Sequence, residues 1–295
     1  ALTAFSDLVQ EAREKLIFDA KKAGWVDDRV GLEHGGLSAT AYGDAVSVYL
    51  AFAVDRMAMT GNKIVRWNNV GEKAQHCFSR QALSMLWDFA EPNFLGNATG
   101  SIYASIFFSY DPINYIKPNK TGFCIQANAA HQSISKSKII STDPPYYDNI
   151  SYADLSDFFY FWLRNILRTN ISGIFSTIST PKSDELVATP FRHENKINAE
   201  QFFLKGMTQV MEQLADQSHE SFPITVYYAF KQSESNDNLN IYNTGWETFL
   251  DALKRAGFAV TGTWPIRTEM KTRQRSMGSN ALASSIVLVC RKRDP

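Results

Sequence analysis

The chain has 295 residues, and its 30 Lys and Arg balance its 30 Asp and Glu. This length allows one large domain or two small ones, and zero net charge excludes a protein that holds nucleic acid through bulk positive charge, so any basic footprint is local. Three widely spaced cysteines, Cys77, Cys124 and Cys290, form no CxxC pair; they exclude a disulfide framework and a zinc ribbon and fit a reducing cytoplasm. The five histidines show no metal-ligand spacing, so no metal site is expected. No secretory signal opens the sequence, and no run of roughly 18 apolar residues predicts a membrane span. The first residue is Ala, as in a processed product or a piece of a longer protein.

Leu8, Ala12, Leu16 and Ala20 recur at four-residue spacing among charges and predict a helix over 3–23, stopped by Gly24. The glycine-rich stretch 27–41 is predicted as loop. Asp44 has the chemistry of an N-cap for an apolar helix over 45–59 that ends at Gly61. Ser79 suits the cap of a third helix, 80–90, closed by Pro92. Residues 1–95 are thus expected to form a mostly helical region and 96–295 a second domain. Residues 101–116 are apolar and leave helix or strand open. Short strands are predicted at 121–126 and 137–142. A helix follows over 154–167, whose Phe158, Phe159, Phe161, Trp162 and Ile166 make a wide apolar face suited to a core. The polar segment 170–198, with Pro181 and Pro190, is predicted as a surface excursion. A helix over 199–217, a strand over 224–230, a helix over 246–256 and strands over 258–264 and 284–291 complete the chain. Alternating strands and helices predict an α/β sheet, and two closing strands with no helix between them predict an antiparallel finish.

The most informative stretch is Ile139-Ile140-Ser141-Thr142-Asp143-Pro144-Pro145-Tyr146. An acid, two prolines and an aromatic at the end of a buried strand suit one task, gripping a flat ring that bears an amine. The Asp143 carboxylate accepts a hydrogen bond from an exocyclic N–H. The prolines remove two donors and fix φ, leaving the Pro144 carbonyl as a second acceptor. Tyr146 supplies a ring for stacking. A turn between strand and helix can carry Asp and Pro for structural reasons alone. The context here is the carboxyl end of a strand in an open sheet, where such folds hold ligands.

Asp-Pro-Pro-Tyr resembles the signature of amino-methyltransferases, and the likeness extends further. The strings 80–91, 141–160, 180–190 and 280–293 resemble the large prokaryotic adenine-specific DNA methylases that carry a zinc ribbon elsewhere in their sequence. The resemblance implies a Rossmann-like S-adenosylmethionine-dependent methyltransferase sheet with an antiparallel final strand, preceded by the helical region. It implies methyl transfer from S-adenosylmethionine to the amino group of a flipped adenine in DNA, in a setting such as restriction–modification or phage defence. Asp143, Pro144, Pro145 and Tyr146 would be the catalytic residues. The family's Asp-Ala pair, which meets the cofactor's adenine, is replaced by Asn128-Ala129; a cofactor contact and a plain strand-end cap both remain open for Asn128. The family's glycine-rich loop after its first strand has no persuasive counterpart at Gly31, Gly35 and Gly36 or at Gly96 and Gly100. The expected partners are therefore DNA and the missing N-terminal part of the same protein, or a partner chain. The alternative is a non-catalytic nucleic-acid-binding or partner-completing module.

Two basic groups are candidates for DNA contact. Arg267, Lys271, Arg273 and Arg275 crowd the loop between the last two strands, and Lys182 stands with Arg192 and His193 in the polar excursion. Solvated loops would carry the same residues.

Overall fold

The computed structural model describes residues 1–78, 83, 85–117, 119–120, 122–148, 150–229, 244–266 and 285–293. The chain does not divide near residue 95. One compact body is formed by Ala1–Cys124 with Tyr152–Ser183, and the other by Ile125–Ser151 with Asp184–Pro295. The predicted excursion 170–198 is thereby shared between them.

The first body is built on α1 (Leu2–Lys22) and α2 (Ala39–Thr60). Helix α2 begins earlier than Asp44 because a more distant acid caps it. Asp27 Oδ1 accepts the Thr40 N–H at 3.2 Å and the Thr40 hydroxyl at 2.6 Å. The Thr40 hydroxyl, with Lys21, holds the Asp27 carboxyl well below the usual range. Asp44 is consequently not a cap. It lies one turn inside the helix, 1 % exposed, with Arg13 Nε at 2.6 Å and the Leu32 N–H at 2.9 Å. Gly61 does end the helix, its N–H bonding to the Met57 carbonyl. A two-strand ribbon follows, β1 (Trp67–Asn68) with β2 (Lys73–Ala74). The helix predicted over 80–90 does not form at the described residues 83 and 85–90. The ambiguous segment 101–116 resolves as α3 (Ile102–Tyr110), capped by Ser101 Oγ on the Ala104 N–H at 3.2 Å.

The second body holds a four-stranded sheet. Only Ser141–Thr142 of the predicted strand 137–142 is ladder, β3, with one isolated bridge between Lys138 and Ser218. Residues 122–126 form no strand. Helix α4 (Tyr152–Leu167) belongs to the first body, where Ile166 and Leu167 join its core and Phe158 and Phe159 pack on Phe78. Then come α5 (Lys196–Gln217), β4 (Ile224–Tyr228), α6 (Thr244–Arg255), β5 (Phe258–Ile266) and β6 (Ser285–Lys292). The sheet order is β3-β4-β6-β5. Strand β4 is parallel to β3, and the final strand β6 lies antiparallel between β4 and β5. Alternation sends Ile224, Val226 and Tyr228 to one face. There they meet Phe203, Met207 and Met211 of α5 and Phe249, Ala252 and Leu253 of α6 in one core. The architecture is mixed α/β with a helical N-terminal region and an antiparallel final strand. No helix among the described residues is long and apolar enough to cross a membrane.

Candidate functional site

Residues Asp143–Tyr147 leave the carboxyl end of β3 beside the carboxyl end of β4, since Thr142 pairs with Val226 and β4 ends two residues later at Tyr228. Asp143 is exposed, and its Oδ1 accepts the Tyr146 hydroxyl. The half-buried Tyr146 ring meets Tyr228 edge-on at 5.4 Å. Tyr228 is stacked on Phe249 at 4.3 Å and lies 5.5 Å from Trp246. Burial pushes the Tyr228 phenol upward, reinforced by Asp148 and the two neighbouring tyrosines; it stays neutral at physiological pH. The site thus presents a carboxylate at the surface against an aromatic wall that is neutral and buried.

Tyr147, which by its sequence counts with Asp148 and Asn149 among the ring-binding groups that follow the turn, instead turns away from this surface into the core. It is a left-handed residue, φ 56°, a conformation that costs a side-chain-bearing residue roughly 1–2 kcal/mol. Its ring is 8 % exposed and meets Phe203 of α5 edge-on at 5.2 Å. Its hydroxyl donates to Glu200 Oε1 at 3.0 Å, and its carbonyl accepts the Ala188 N–H at 3.0 Å. On another side it lies against Gly245 of α6, where a Cβ would come within 2.9 Å of the ring. The only sequence signal for this residue is the doubled tyrosine, two consecutive rings that one extended backbone would send to opposite faces.

The remaining predicted residues are placed as follows. Asn128 is exposed, and its Oδ1 caps a turn by accepting the Ala130 N–H at 2.9 Å. That turn closes on Gln132, whose carbonyl accepts the side-chain amides of Gln213 and Gln217. Tyr147 is fastened to the same helix at Glu200. Thirteen residues separate Glu200 from Gln213 on α5, roughly 20 Å of helix at 1.5 Å per residue. Asn128 and Ala129 are therefore tied toward the far end of α5 and are not brought beside Asp143. Lys182 belongs to the first body, where its ammonium lies 2.7 Å from Asp157 Oδ2. Burial alone would raise the Asp157 carboxyl, but the bonds from Lys182 and Thr180 hold it at about 2. Arg192 pairs with Glu185 at 2.7 Å, and His193 stacks on Phe202 at 4.2 Å. Arg267, Lys271, Arg273 and Arg275 lie outside the described residues.

Gly31, Gly35, Gly36, Gly96 and Gly100 lie in the first body, and the four-stranded sheet lies in the second. Among the described residues no three His, Cys, Asp or Glu side chains gather as a metal site.

No protein-family model, curated protein or solved structure matches the chain.

Proposed function

We propose that the sheet body is the base-binding part of a DNA adenine amino-methyltransferase. The observation that carries this reading is the exposed Asp143 on a proline-fixed turn at the carboxyl ends of two adjacent parallel strands, backed by Tyr146 and Tyr228. Ligands of open α/β sheets lie outside such strand ends. The sheet order supports the same reading, because a last strand inserted antiparallel between β4 and β5 suits the Rossmann-like methyltransferase sheet that the sequence resembles.

The chemistry follows from the groups present. Adenine's amine is a poor nucleophile because its lone pair is delocalised into the ring. One N–H donates to the Asp143 carboxylate, whose Oδ1 already takes the Tyr146 hydroxyl and which has further lone pairs to offer. The second N–H donates to the Pro144 carbonyl. Both bonds favour a pyramidal nitrogen with its lone pair localised, and positioning with electrostatics supplies the catalysis. S-adenosylmethionine, when bound, supplies an electrophilic methyl group. The duplex must release the base for it to reach Asp143, and Tyr146 is the ring available to stack on it.

A second reading, a binding module without chemistry, is favoured by the lack of a glycine-rich loop at any strand end of the sheet among the described residues. One experiment separates the two. The chain is incubated with methyl-labelled S-adenosylmethionine and adenine-containing DNA, alone and together with the longer protein or partner chain that supplies the loop. The enzyme reading expects label in DNA and a loss of at least ~100-fold in Asp143→Ala, the size of one removed transition-state hydrogen-bonding group. Near-normal turnover in Asp143→Ala would sink the assignment, and DNA binding without any transfer would favour the module.

A further inference from the structure

We infer that Tyr147, through Glu200, is a positioning residue that fixes the placement of Asp143 and Tyr146; this rests on the reading of that turn as the base-binding site. The turn is a short bridge clamped at both ends. At one end, Ser141 and Thr142 are held in register against Thr225 and Val226 of β4. At the other, Tyr147 is gripped from three directions: Glu200 and Phe203 of α5, the Ala188 N–H, and Gly245 of α6. Between the clamps stand Asp143, two prolines of fixed φ and Tyr146, so little torsional freedom remains in the bridge.

The two adjacent tyrosines serve different purposes: Tyr146 faces Asp143 and Tyr228, while Tyr147, on a left-handed backbone, enters the core beside Phe203. Glycine would adopt the same φ without strain. A tyrosine there gains what its ring and hydroxyl hold, and the hydroxyl bonds Glu200, 53 positions along the chain. Glu200 and Phe203 are three apart on α5, hence on one face of that helix, and act as a two-point socket. Releasing the socket leaves Asp143 in place chemically but frees the angle at which its carboxylate meets an amine.

The test places fluorotyrosine at position 146 and reads it by fluorine NMR, free and with adenosine as the probe ligand, in the wild-type chain and in Tyr147→Phe, Glu200→Ala and Glu200→Gln. Tyr147→Phe keeps the ring and removes the hydroxyl that bonds Glu200, so the fold is expected to survive with an unchanged melting profile. The expected result is a resonance that moves toward the solvent-exposed value in Tyr147→Phe and Glu200→Ala, with adenosine affinity weakened ~tenfold, the loss of about one hydrogen bond's worth of ordering. Glu200→Gln, which keeps an acceptor, is expected to restore both. A residue that merely stabilised the core would change melting and leave the position-146 resonance alone; that outcome overturns the inference. Failure of the underlying reading shows differently: the wild-type resonance then ignores adenosine, as Asp143→Ala is expected to, while its response to Tyr147→Phe still decides the clamp.

Discussion

Asp55 ties the stability of the helical body to pH. It lies inside α2, 9 % exposed, and its Oδ1 has no hydrogen-bond partner. Burial raises its pKa from 3.8 to about 8. The folded chain therefore keeps the proton near neutral pH, whereas the unfolded chain releases it. A carboxyl whose folded pKa is raised binds an extra proton in the folded state between the two values, so stability falls as pH climbs from about 4 to about 8 and the loss is complete above that. The gap between 3.8 and about 8, at ~1.4 kcal/mol per pH unit, sets a ceiling on the order of 5 kcal/mol. Asp55→Asn keeps the shape and cannot ionise. Near pH 4 the variant and the wild type should agree within ~1 kcal/mol, and near pH 9 the variant should be the more stable by at least ~2 kcal/mol. Urea unfolding followed by far-ultraviolet circular dichroism, which the long helices dominate, measures both. Parallel pH curves for the two proteins, or a variant that is the weaker one at alkaline pH, would refute the argument and mean that the carboxylate is solvated in the folded chain.

Gly245→Ala should destabilise the sheet body by roughly 1–3 kcal/mol, because its Cβ would press to within 2.9 Å of the Tyr147 ring; a melting temperature equal to wild type would show that the ring can retreat at no cost. Replacing Arg273 and Arg275 together by Ala should weaken DNA association and lower the log–log salt slope by about two, one per phosphate contact, nearly uniformly across sequences. Fluorescence anisotropy over several salt concentrations reads this, and an unchanged slope would move the DNA-binding surface away from that loop.

The periodic elements were legible because their signal is carried by neighbours in sequence. Helix α1, helices α4 to α6 and strands β4 to β6 stand within a few residues of where spacing and stop residues put them. The Asp143 turn was legible for the same reason, since an apolar strand, an acid and two prolines sit side by side. What tertiary structure decided are matters between residues far apart. Asp44 has the composition of a cap, but Asp27 reaches the helix end from 13 positions upstream, so Asp44 is drawn into a buried pair with Arg13 instead. Residues 122–126 have the look of a strand, yet a strand exists only where a neighbour takes its hydrogen bonds, and none among the described residues does there. Helix α4 follows the Asp143 turn directly in the chain and nevertheless joins the other body, because its apolar face finds Phe78 and the core of α1 and α2. Tyr147 shows the limit most clearly. Its type is written in the sequence, but its left-handed backbone exists only because Glu200, Phe203 and Gly245, distant along the chain, converge to hold a conformation that its own local sterics oppose.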